Sequence, residues 1–156
     1  MVRARTVRLT AGGKARLEEE LEALLTRRRP DLAARMKEAT RHGDVSDSSE
    51  HEDLKEEWAI VEARIRDLEQ TLERAEVIQR NAADDAVGLG SRVTLRGDDG
   101  EEETWVLVSP EEANSLDGTI STESPVGRAL LGCRTGDSPS VTTPGGTMVY
   151  TVVSVA

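Results

Sequence analysis

The chain of 156 residues has one cysteine, no phenylalanine and three aromatic residues in all, Trp58, Trp105 and Tyr150. A single cysteine excludes an internal disulfide framework. With no signal-like N-terminus, that points to a reducing, cytoplasmic location. No run approaches the ~18 consecutive apolar residues that a membrane span needs, so no membrane partner is expected. Scarce aromatics remove the stacking platforms of single-strand binders, and a net charge of −10 removes the cationic surface of sequence-blind duplex binders. Nucleic acid is therefore expected to be reached only through a partner.

The acid is unevenly spread. Residues 1–80 carry 16 basic and 18 acidic side chains, whereas 81–156 carry 4 and 12. Composition changes at the same place: only Gly12, Gly13, Gly43 and Pro30 precede it, and the remaining Gly and Pro follow it with many Val and Thr. A helical half followed by a strand-and-turn half is an α+β chain.

In the first half, Thr10 is placed to cap a helix with apolar positions at Leu17, Leu21, Leu24, Leu32, Met36 and Ala39. Pro30 should kink that helix. A second helix carries Leu54, Trp58, Val61, Ile65, Leu68, Leu72 and Ala75 in alternating steps of four and three, the seam of a coiled coil, and Ile78 closes it. The short polar turn His42–Ser49, with Ser49-x-x-Glu52 as a capping box, makes the two helices antiparallel neighbours. Each would run for roughly 45 Å at 1.5 Å per residue. Residues 1–80 are thus expected to form a coiled-coil hairpin with an acidic tip at 43–53.

A linker at 81–88 leads to a second domain at 89–156. It should contain strands at Ser91–Leu95, Thr104–Val108, Gly118–Ser121, Ser138–Thr142 and Met148–Val155, turns at Gly97–Gly100 and Pro144–Gly146, and one short helix from Pro125.

Between Asp44 and Glu57 stand seven carboxylates against one lysine, Lys55. Acids in the first turn of a helix favour its dipole, which explains part of the cluster. Asp44 and Asp47, in the turn itself, can also offer hard oxygen ligands to Mg²⁺ or Mn²⁺, with Glu50 in support. Such a tip is half a metal site, suited to completion inside another macromolecule's active centre. Arg28, Arg29 and Arg41, with Arg27 and Arg35, form either a strip facing RNA or an exposed face pairing with glutamates of the second helix. His42 and His51 are expected as exposed capping residues, and Cys133 as an inert thiol.

The run Arg28-Arg29-Pro30-Asp31-Leu32 … Gly43-Asp44-Val45-Ser46-Asp47-Ser48-Ser49-Glu50-His51 resembles bacterial Gre factors, the transcript cleavage factors, whose tip reads G-D-L-x-E-N-A-E-Y. A second motif agrees, Ile120-Ser121-Thr122-Glu123-Ser124-Pro125-Val126-Gly127-Arg128-Ala129-Leu130-Leu131-Gly132, followed by Gly136-Asp137 and Thr143-Pro144-Gly145-Gly146. The resemblance spans essentially the whole chain.

It implies a C-terminal domain of FKBP-like fold, docked through Ser124 and Pro125 at the secondary channel of bacterial RNA polymerase. The coiled coil would carry Asp44 and Asp47 to the catalytic Mg²⁺, so the chain would act as a monomer on the polymerase's active centre without catalysing alone. Nascent RNA would be met only inside that complex. Asp47 stands where cleavage factors have Glu, Ser48-Ser49 where they have Asn-Ala, and His51 where they have Tyr. These departures, with the Gly88–Ser91 and Ser109–Asp117 segments, are similar to the Gre-homologue inhibitors called Gfh factors, so a modulator that prolongs pausing or slows nucleotide addition is expected. The alternatives are a factor that stimulates cleavage of backtracked RNA and a coiled-coil adaptor without metal.

Overall fold

The computed structural model describes residues 5–41, 49–80 and 85–156. The chain is α+β and divides into two units, Ala15–Arg74 and the residues up to Lys14 together with Ala75–Ala156. The division differs from the boundary expected near residue 80, because both ends of the helical segment are tied into the second unit by a strand pair. Strand β1 (Val7–Leu9) pairs in parallel with β2 (Ala75–Val77), and Ile78 N–H donates to Leu9 carbonyl oxygen at 2.8 Å.

Helix α1 (Ala11–Ala23) runs through a π-helical turn (Leu24–Arg28) into α2 (Arg29–Arg41), and α3 (Ser49–Glu73) returns. The widened turn sits where Pro30 needs it. A proline lacks the N–H that would bond four residues back, and its ring crowds that carbonyl. Here Arg29 N–H reaches Leu24 carbonyl oxygen, five residues back, and the helix continues through the proline. Leu32, Leu54, Val61 and Ile65 form the buried seam, flanked by Leu21, Leu24, Met36 and Trp58. His51, expected at the surface, is buried. The heptad expected through Ala75 and Ile78 stops earlier, since α3 ends at Glu73 and Ala75–Val77 is strand.

In the second unit, β3 (Arg92–Arg96) and β4 (Glu102–Val108) form an antiparallel hairpin around the turn expected at Gly97–Gly100. Adding β5 (Thr119–Ser121) parallel to β4, and β8 (Thr151–Val155) antiparallel to β3, gives the order β5-β4-β3-β8. Helix α4 (Pro125–Leu130) follows β5. Val87, Val93, Leu95, Leu107, Leu130 and Val152 fill the core, with Trp105 and Tyr150 half-buried at its margin. The last expected strand is two: β6 (Ser140–Thr143) and β7 (Gly146–Val149) form a separate hairpin around Pro144 and Gly145, and Tyr150 marks the break before β8.

Candidate functional site

The hairpin's direction is written in its ion pairs. Glu20 meets Arg64 through two bonds of 2.6 and 2.8 Å, Arg29 meets Glu62 at 2.7 and 2.9 Å, and Arg28 and Arg35 both meet Glu57, at 3.2 and 3.7 Å. From Glu20–Arg64 at one end to Arg35–Glu57 at the other, partners advance along one helix and retreat along the other, so the helices are antiparallel and both lead to the connection at residues 42–48. Asp44 and Asp47 belong to that connection and lie outside the described residues. Glu50, in the first turn of α3, and Arg41, the last residue of α2, are exposed at the same end of the hairpin.

Three of the arginines expected as a strip facing RNA, Arg28, Arg29 and Arg35, are held across the hairpin. The Glu62 carboxylate raises the pKa of Arg29, chiefly through their hydrogen bonds, and the Arg29 guanidinium in turn lowers that of Glu62. Hydrogen bonding to Glu20 likewise raises Arg64. These exposed and half-exposed pairs align the helices more than they stabilise them, since solvent reaches and screens each one.

At the second motif, Ser124 is the N-cap of α4. Its Oγ accepts from Gly127 N–H at 3.0 Å and its hydroxyl donates to Ser121 carbonyl oxygen at 2.7 Å. Both interactions are internal, so Ser124 shapes the segment. Pro125, pre-set for the first helical position, is exposed and presents the surface. Gly127 is needed for close approach, because a Cβ there would lie 2.0 Å from Ser121 carbonyl oxygen.

A buried carboxylate escaped the sequence reading. Glu112 is 7 % exposed, accepts from Thr10 N–H at 3.0 Å and takes a short hydrogen bond from the Thr10 hydroxyl. Thr10 Oγ1 also accepts from Gly13 N–H at 3.0 Å, as the expected cap of α1. The available signal was Gly13 itself, a glycine in the first turn of a helix where alanine is the better former. Cys133 is half-buried, its thiol donates to Ala129 carbonyl oxygen at 3.3 Å, and burial raises its pKa, which suits an inert thiol.

Residues 7–77 match the family described as transcription elongation factor, N-terminal, and residues 82–156 the one described as transcription elongation factor, GreA/GreB, C-term. The chain belongs to the GreA/GreB family of transcription elongation factors. It is 49% identical over 149 residues to the transcription elongation factor GreA of Chloroflexus aurantiacus and 46% identical over 149 residues to that of Roseiflexus castenholzii, in both cases across 94% of this chain and 95% of the relative. Among solved structures it is similar to the GreA factor homolog 1 (Gfh1) protein of Thermus thermophilus, with 39% identity, a TM-score of 0.47, and 97% of this chain and 99% of that one covered. Against the GreA/GreB frame, the paired arginines, the cap at Ser124 and the buried Glu112 all serve the local architecture. No helix among the described residues is long and apolar enough to cross a membrane.

Proposed function

We propose that this chain regulates elongation by bacterial RNA polymerase from within the secondary channel, slowing nucleotide addition and prolonging pauses as a Gfh-like modulator. The observation that carries the reading is the antiparallel hairpin, whose cross-helix pairs direct both strands of the rod to the connection bearing Asp44 and Asp47. The second unit docks through the surface that Pro125 presents and Ser124 shapes. The chain acts as a monomer in the cytoplasm and borrows the polymerase's chemistry, having none of its own.

The tip suits a shared Mg²⁺ or Mn²⁺. Its side chains are carboxylates, the hard oxygen donors such ions take. Two or three carboxylates leave most of such an ion's coordination open, and in this reading the polymerase's own active centre supplies the remaining ligands. Asp44 and Asp47 would hold the ion, with Glu50, exposed in the first turn of α3, in support. An ion so placed neutralises phosphate charge and lowers the pKa of bound water. Asp47 is one methylene shorter than the Glu of cleavage factors, roughly 1.5 Å of reach. Productive geometry tolerates about 0.5 Å. The shorter arm therefore favours occupation of the centre over activation of an attacking water.

A second reading, stimulation of RNA cleavage, is favoured by the GreA names of the relatives with 46% and 49% identity. Nucleotide-addition rates on stalled elongation complexes test the proposal. The intact chain should slow addition severalfold, and the Asp44→Asn, Asp47→Asn double variant should not. Equal slowing by both would remove the tip from the mechanism and leave the metal-independent adaptor. No slowing by either would overturn the modulator reading.

A further inference from the structure

The second unit contains a groove that the tip and the Ser124–Pro125 surface leave unused. The chain passes at Tyr150 from β7 into β8 of the main sheet, and the β3–β4 turn lies opposite β7, with a cavity of about 250 Å³ between them. One wall is apolar, with Met148 and Tyr150. The other is acidic, with Asp98, Asp99, Glu101 and Glu103, and no Lys, Arg or His lines the groove.

The two walls make different demands. Met148 and its neighbour Val149 are 48 % and 41 % exposed, an unusual cost for apolar side chains on an edge strand that pairs only with β6 among the described residues. Of the carboxylates, Asp99 accepts from Glu101 N–H at 3.0 Å and Glu103 accepts from Trp105 Nε1–H at 3.2 Å. Asp98 and Glu101 form no ion pair among the described residues. Four like charges around one small space repel each other until a cation enters. A metal ion would answer the charge and leave the apolar wall uncovered, and no three of these groups are disposed to hold one. Nucleic acid would be repelled. A second copy of this chain, with 30 Asp and Glu against 20 Lys and Arg, would on balance add like charge.

We propose that this groove binds an extended protein segment in which a Lys or Arg stands beside an aliphatic side chain. The cation lies among Asp98, Glu101 and Glu103, its stem or guanidinium against Tyr150, and the aliphatic neighbour covers Met148. The free edge of β7 offers backbone groups to the same segment. The groove's lining shares no residue with the tip or with Ser124 and Pro125.

The test is a titration of the ¹⁵N-labelled full chain, followed by amide and indole resonances, with the capped peptide Gly-Leu-Arg-Leu-Lys-Gly and a counterpart carrying Glu for Arg and Lys. The basic peptide should move the Trp105 indole signal and the amides of 97–103 and 147–150 saturably. The acidic peptide should not. The Asp98→Lys, Glu101→Lys variant changes two exposed side chains, and its own spectrum elsewhere verifies that it is folded. It should weaken binding about tenfold, and raising salt from about 50 to 500 mM should weaken it severalfold. Any one of four results overturns the proposal: no saturable shift up to about 5 mM peptide, equal binding of the acidic peptide, binding unaffected by the double variant, or the same shifts produced by an RNA oligomer or by concentrating the protein alone.

Discussion

Replacing Gly13 by alanine should destabilise the second unit, although alanine is ordinarily the better residue in a helix. A Cβ at Gly13 would lie 2.0 Å from Glu112 Cδ and 2.1 Å from its Oε1. Glu112 must then leave a buried position in which it bonds the backbone and hydroxyl of Thr10. A hydrogen bond to a charged group contributes about 1.5–3 kcal/mol. The change from glycine to alanine returns up to about 1 kcal/mol. The balance is a loss of about 0.5–2 kcal/mol. In a Glu112→Ala background the obstacle is gone, and the same substitution should be neutral or stabilising by about 0.5–1 kcal/mol. Gly12→Ala, with nothing within 4 Å of its Cβ, is the control and should be neutral or stabilising in both backgrounds. Urea unfolding followed by Trp105 fluorescence, with Trp58→Phe throughout, reads the unit that contains the contact. A Gly13→Ala cost that is the same with and without Glu112 would refute the reasoning, because the clash requires that carboxylate.

Gly127→Ala meets a backbone carbonyl 2.0 Å away in place of a side chain, so urea unfolding should show a larger loss, about 3 kcal/mol, with weakened polymerase binding. Ser124→Ala removes the cap of α4 and should cost about 1 kcal/mol in the same assay, with polymerase affinity falling only as far as the segment loosens. Pro125→Glu should leave stability nearly unchanged and reduce polymerase affinity at least tenfold, measured by direct binding. The Arg29 pair keeps the Glu62 carboxyl below its usual value, so its contribution is present at neutral pH and is lost as pH falls through the acid range. Glu62→Gln should flatten the hairpin's stability over that range, and high salt should do the same to the intact chain.

The hairpin was legible because its signal is local: a seam repeated every three or four residues predicts Leu54, Val61, Ile65 and Leu68 as buried, and they are. The end of α3 was not, since Ala75 and Ile78 continue the same spacing while Ala75–Val77 pairs with Val7–Leu9, a parallel partner far away in sequence that leaves no local mark. Pro30 announced a disturbance of the helix without saying how it would be absorbed. A π-helical turn relieves both its missing donor and its ring. The break at Tyr150 was hidden inside an unbroken β-like run from Met148 to Val155, where only tertiary pairing decides that β7 turns to β6 and β8 to β3. The cap at Ser124 and the helix start at Pro125 were readable from motif and helix-start chemistry. Glu112 was not, because a long-range carboxylate cap resembles any other acidic loop residue until the fold closes.

The most direct test of the account is the length of the RNA 3′ ends in stalled, backtracked polymerase complexes incubated with this chain and Mg²⁺ or Mn²⁺. The account predicts full-length transcripts that resume extension slowly, with the delay abolished by Asp44→Asn and Asp47→Asn together. Rapid 3′ shortening by the intact chain, lost on Asp44→Ala, would contradict it and make the chain a cleavage factor.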